Sequence, residues 1–211
     1  MIVVGVRPAR QSRVKLLMDT GEEVLIDKKT WEESVYSVDS SLSDSQLEEL
    51  LQESDHRRAQ SRAVYLLSKR DLSRRELEQK LCREKGRYVP ENKELAQQTA
   101  ARMEDLGYVN DAAYAERLAE RYSREKLYPR RRIVQKLIEK GIARTLAEEA
   151  VAVLETADEE LALEFLLKKH YTIPREQHEA DRIAAAMARY GFAGADIRRA
   201  MRRWMEDTDN D

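Results

Sequence analysis

Only one cysteine, Cys82, stands in the 211 residues. No internal disulfide can form, and nothing points to the oxidising compartments where small domains depend on them. Seven glycines and four prolines leave little material for turns. Aromatic residues make up only 6% of the chain, and with 37% of the residues charged one thick globular core is not expected. No apolar run approaches the roughly 18 residues of a membrane span. The start, MIVVGVRPAR, lacks the basic head and long apolar stretch of a secretory leader. These absences lead us to expect a soluble, cytoplasmic protein. Catalytic signatures are missing too. There is no phosphate-cradling glycine-rich loop and no nucleophile elbow. His56, His170, His178 and Cys82 lie far apart, without metal-ligand spacing. No catalytic residue, metal ligand or cofactor is therefore assigned, and the chain reads as a non-enzyme.

What the sequence has in abundance is charge. Asp, Glu, Lys and Arg form 37% of the residues, yet the net charge is only −2. The charges fall in blocks. Residues 121–144 hold nine Lys/Arg and two Asp/Glu, residues 145–181 hold three and ten, and residues 182–204 hold six and one. Such blocks give a striped surface. With so many helix formers, the composition predicts a mostly α protein built from thin layers of amphipathic helices.

The first 27 residues are different. IVVGVRP, RVKLLMD and EVLID favour strands, and Asp19-Thr20-Gly21 reads as a hairpin turn between two of them. Two or three short strands are expected. KKTWEESVYSVDSSL reads as short helix or irregular chain, and Ser43 is placed to cap a helix with Leu47, Leu50 and Leu51 on its apolar face. Helical patterns with short breaks follow from about residue 54. Ser73 and Glu76 have capping-box spacing, with Leu72 and Leu77 as the accompanying staple.

The pattern then recurs. Three helices are expected over 54–109, three over 110–155 and three over 156–206, after an N-terminal segment 1–53. The middle helices align on Leu77–Leu81, Ile133–Leu137 and Ile183–Met187, each closed by a glycine, Gly86, Gly141 or Gly191. A period of 50 to 56 residues with three helices per copy is the mark of a tandem helical array. EDLGYVNDAAYAERL (104–118) would be the joint between the first two copies. Gly107 suits a left-handed helix cap, with Tyr108 folding back on the last turn. Asn110 suits an N-cap, with Val109 and Tyr114 at staple positions.

The basic residues fall in rows. Arg132, Lys136 and Lys140 are spaced by four, beside Ile133, Leu137 and Gly141, and follow Arg130 and Arg131. Arg198 with Arg202, and Arg199 with Arg203, repeat the arrangement beside Ile197, Met201 and Trp204. Like charges at this spacing repel by a few tenths of a kcal/mol. Two readings stay open. The rows pair with acidic residues of neighbouring helices, or they face an acidic protein groove or nucleic-acid phosphates.

LGYVNDAAYA (106–115), SRRELEQKL (73–81) before Lys85-Gly86, and RRRIVQKLIEKGI (130–142) resemble the motifs of the RecX regulatory proteins. The resemblance covers roughly residues 57–204, and the strand-rich start is similar to the longer members from Gram-positive bacteria. One departure is KLYPRRR, where Leu127 and Tyr128 stand in place of the family's small turn residues. The resemblance implies three tandem three-helix repeats in an elongated, curved molecule. It also implies a monomeric, non-enzymatic regulator that binds the RecA–single-stranded DNA filament and inhibits strand exchange, ATP hydrolysis and coprotease activity. No membrane is involved, and an accompanying contact with single- or double-stranded DNA is left open. The partner-binding candidates are Arg130, Arg131, Arg132, Lys136, Lys140, Arg198, Arg199, Arg202 and Arg203. A helical-repeat protein that binds DNA directly, or a helical scaffold for another protein, are the competing classes.

Overall fold

The structure is a computed structural model and describes residues 1–83 and 93–208. The expected helix end at Gly86 lies outside the described residues. Ten helices and one small sheet are found among those described, grouped in two compact units, Met1–Val109 and Asn110–Asp211.

The first unit opens with a three-stranded antiparallel meander: β1 (Val3–Ala9), β2 (Arg13–Met18) and β3 (Glu23–Asp27), in that order. Alternation along β2 buries Val14, Leu16 and Met18 against Val3, Ile26, Leu47 and Leu50. Gly21 takes φ +88° in the second hairpin, as the Asp-Thr-Gly turn requires. The side chain of Asp27 accepts from the N–H groups of Lys29 and Thr30 and so caps α1 (Lys28–Glu33). Irregular chain then runs to Ser43, whose capping box with Gln46 starts α2 (Asp44–Leu67).

Contrary to the expected break near residue 54, α2 is one helix of 24 residues. The reason is that it serves two cores. Leu47 and Leu50 pack on the sheet, whereas Ala63 joins a separate cluster with Leu72, Leu77, Leu81, Ala96, Ala100, Met103 and Val109. The apolar stripe changes face along its length, so its periodicity looks interrupted although the backbone is not. Midway, the buried Ser54 hydroxyl accepts the N–H of Asp27 and ties the helix to the end of β3.

α3 (Arg74–Arg83) starts at the expected capping box: Glu76 N–H donates to Ser73 Oγ, and Ser73 N–H to Glu76 Oε2. Leu72 and Leu77 are buried together as the staple. α4 (Lys93–Asp105) ends in a full left-handed cap. Gly107 has φ +76°, its N–H donates to Glu104, and that of Tyr108 donates to Met103. One detail differs from expectation. Tyr108 is 59% exposed, and Val109, at 2%, is the residue that covers the last turn.

The second unit holds α5 (Asp111–Lys126), α6 (Arg130–Glu139), α7 (Arg144–Ala152), α8 (Asp158–Lys168), α9 (Gln177–Tyr190) and α10 (Gly194–Thr208). Asn110 caps α5 by accepting from Ala113 N–H. The apolar residues form two clusters, one around Ile133 and Leu137 and one around Ile183 and Met187. α6 and α9 end alike, at Gly141 (φ +85°) and Gly191 (φ +116°). A buried Ile142 or Phe192 follows and donates back to Leu137 or Met187. The buried and exposed positions of 141–150 recur without change at 191–200, so the 50-residue period is structural as well as sequential.

Candidate interaction surface on the second unit

The link from α5 to α6 is only Leu127-Tyr128-Pro129. Leu127 adopts φ +54°, the left-handed form a glycine would take more easily. It is buried among Leu161, Ala162, Phe165 and Leu166 of α8, so apolar burial offsets the strain. The departure from the family's small turn residue thus fixes the joint instead of loosening it.

Pro129 has no hydrogen-bonding group in its side chain to cap α6. Asp158 does so from α8, accepting the Arg130 N–H at 3.1 Å. The Arg130 guanidinium stays within 3.7 Å of the Asp158 carboxylate and donates to the carbonyls of Val151 (3.2 Å) and Leu154 (2.7 Å), at the end of α7. A cation there suits both the orphan carbonyls and the helix dipole. Burial pushes the Asp158 carboxyl above the usual range, against the pull of the Arg130 N–H and guanidinium. Arg130 is therefore a structural clasp of α6, α7 and α8.

Arg132 is also engaged. It lies 4.2 Å from the Tyr128 ring centroid and 4.4 Å from that of Tyr190, and donates to the Tyr190 carbonyl. The Tyr190 hydroxyl donates to the Lys126 carbonyl. Phe165 packs on Tyr190 at 4.5 Å and on Phe192 at 5.6 Å. Both phenylalanines of this aromatic-poor chain thus gather at one spot. Burial, then the neighbouring Tyr128, push the Tyr190 phenol upward, while Arg132 pulls it down.

The remaining candidates are less constrained. Lys136 meets Glu139 at 2.6 Å in an exposed pair of little strength. Lys140 is half-buried at the end of α6 and engaged within the fold. Arg199 joins Glu159 of α8 and Asp196 of its own helix. Arg198, Arg202 and Arg203 are exposed, and Arg203 has an interaction of its own. The row Arg132–Lys136–Lys140 is consequently not an uncompensated line of charge.

The geometry brings together a different set. A cleft of about 400 Å³ lies between α6 and the end of α9, and Arg131, Arg132, Lys136 and Arg189 line it. Arg189 was not singled out by sequence. It sits outside the four-residue rows, and only the pairing of α6 with the end of α9 places it there. Among the described residues no group of His, Cys, Asp and Glu could hold a metal ion, and no helix is long and apolar enough to cross a membrane.

Residues 110–151, which comprise α5 to α7, match the model of the RecX second three-helix domain. Regulatory protein RecX of Streptomyces coelicolor is 29% identical over 157 residues, which is 72% of this chain and 81% of the relative. That of Chlorobium phaeobacteroides is 27% identical over 150 residues, 71% of this chain and 95% of the relative. The chain is thus similar to RecX proteins over about 70% of its length. A crystal structure of a regulatory protein RecX has a TM-score of 0.69 at 18% identity, covering 92% of this chain and 96% of the other. RecX from Lactobacillus salivarius gives 0.62 at 20% identity, covering 71% and 96%. The fold is therefore shared along nearly the whole chain, including the part beyond the matched helices. Both of these relatives bear the name regulatory protein RecX.

Proposed function

We propose that this chain belongs to the RecX family, binds the RecA–single-stranded DNA filament and inhibits its recombinase, ATPase and coprotease activities. The observation that carries the reading is the match of residues 110–151 to the second RecX domain. In this reading the modules are three-helix sets, the first starting within the undivided α2 and running to 109, the others at 110–155 and 156–206. The partner surface draws on the basic residues of α6 and α10, with Arg130 and Arg132 shaping it from within. The test is the DNA-dependent ATPase of the cognate RecA, titrated with this protein. Inhibition at substoichiometric amounts is expected, and no effect at equimolar amounts removes the reading. Lys136→Glu and Arg202→Glu sharpen it. Each should weaken filament binding more at low salt than at high salt while the melting temperature holds, because screening acts on the same charges.

The second reading, direct binding to DNA, has less support. The second unit carries nineteen Lys/Arg against twenty Asp/Glu, so it has no net positive field to hold a polyanion. A gel shift on naked DNA, with and without RecA, separates the two.

A further inference from the structure

The second unit carries two clefts of opposite character. One, of about 620 Å³ between α5, the end of α7 and α8, is lined by Glu116, Glu120, Glu155 and Glu164 as well as Arg117 and Arg124. The other is the cleft between α6 and the end of α9. None of its nine lining residues is acidic, and four are cationic. We propose that this cationic cleft receives a carboxylate-bearing segment of a partner protein, with Arg131 and Arg189 as its gripping residues. The proposal deepens the filament-binding reading and rests on it for the partner's identity, not for the chemistry.

Three features favour this occupant. First, the floor is already ordered. Arg132 is held by two tyrosine rings and one carbonyl, so its guanidinium loses little freedom on binding. Second, Arg131 and Arg189 are exposed on the helices that flank the cleft, and Gln135 adds an amide donor. Guanidinium groups match carboxylates through paired N–H donors. Lys136 can exchange its exposed partner Glu139 at small cost. Third, the cleft is local. A nucleic-acid strand gains affinity from many phosphates contacted along a basic track. Here four cations occupy one recess in a unit whose charges as a whole nearly cancel. A short acidic peptide needs no longer track than this.

The test uses the full chain and a fluorescein-labelled peptide of Asp-Glu pairs separated by glycine, read by anisotropy at low salt. An oligothymidylate serves as the competing polyanion. The unaltered protein should bind the peptide. Arg131→Glu with Arg189→Glu should weaken that binding about tenfold or more. Arg144→Glu, at an exposed position paired with Glu148, should leave it unchanged. Should the double variant lose melting temperature, Arg189→Gln alone decides, with a weaker loss expected. The proposal is overturned if the unaltered protein ignores the peptide, or if the variants bind it equally. It is also overturned if the oligothymidylate binds more tightly and is lost in the same variants, which would make the cleft a nucleic-acid site. No RecA is present, so a failed ATPase titration and a failed cleft are separate results.

Discussion

Gly107 and Gly191 close their helices alike, the next residue donating back to Met103 or Met187, yet their surroundings differ. At Gly107 (φ +76°) an added Cβ would meet nothing within 4 Å. At Gly191 (φ +116°) it would come within 3.2 Å of Arg132 Cβ and 3.4 Å of Pro129 Cγ. Both positions need glycine for the backbone, but only the second needs it for space as well. The repeated motif therefore sets the local geometry, and tertiary neighbours set how much change each copy tolerates. That difference separates a cap that merely ends a helix from one that forms the wall of a cleft.

The comparison can be broken most sharply at Gly191. Gly191→Val should cost about 2–4 kcal/mol, from backbone strain plus the collision with Arg132 and Pro129. Chemical denaturation would show it. An effect no larger than that at Gly107 would mean that the neighbours yield freely. Next in size is Arg132→Ala. It removes the stacking on Tyr128 and Tyr190 and the bond to the Tyr190 carbonyl, and should cost about 2 kcal/mol. With Arg132→Gly instead, the loss combined with Gly191→Ala should fall short of the sum, because the Cβ that the new methyl would meet at 3.2 Å is gone. Strict additivity would argue against contact. Gly107→Val should cost about 1 kcal/mol from the left-handed backbone alone, with helix content nearly intact by circular dichroism.

The smallest effect is one of pH. The folded state raises the Tyr190 phenol above its ordinary value. A group raised in the fold contributes stability below its unfolded pKa, about 10 for tyrosine, and loses it as pH climbs through the folded value. Melting temperature should therefore fall on the alkaline side of about pH 10. Tyr190→Phe should flatten that fall while also removing the hydroxyl's bond to Lys126. An unchanged alkaline slope in the variant would assign the fall to other groups.

What could be read from the sequence was whatever depends on neighbours in the chain. The Ser43 cap, the capping box at Ser73, the Asn110 cap and the left-handed glycines all follow from chemistry within about five residues. The three-strand start and the 50-residue spacing were legible for the same reason. Long-range chemistry was not. Arg132 stood in a basic row read either as pairing with acidic neighbours or as facing a partner, but its acceptor, the Tyr190 carbonyl, lies 58 residues away. Arg130 likewise turned inward, to carbonyls 21 and 24 residues downstream. Arg189 had no partner in any row, so nothing local marked it. α2 was divided in prediction because its buried face rotates from Leu47 and Leu50 to Ala63, although no glycine or proline stands between residues 44 and 67 to break it.

That undivided helix has a kinetic consequence. Since α2 lends one end to the sheet and the other to the first helical core, neither layer can open without exposing apolar surface of the other. The Ser54–Asp27 bond sits near the crossover. In hydrogen exchange, the amides of β2 and those of the Ala63 end of α2 should become labelled together, as one cooperative foldon, despite lying some 45 residues apart in the chain. The strand-rich start would then be a fixed part of the first unit's opening event, not an appendage that frays on its own clock.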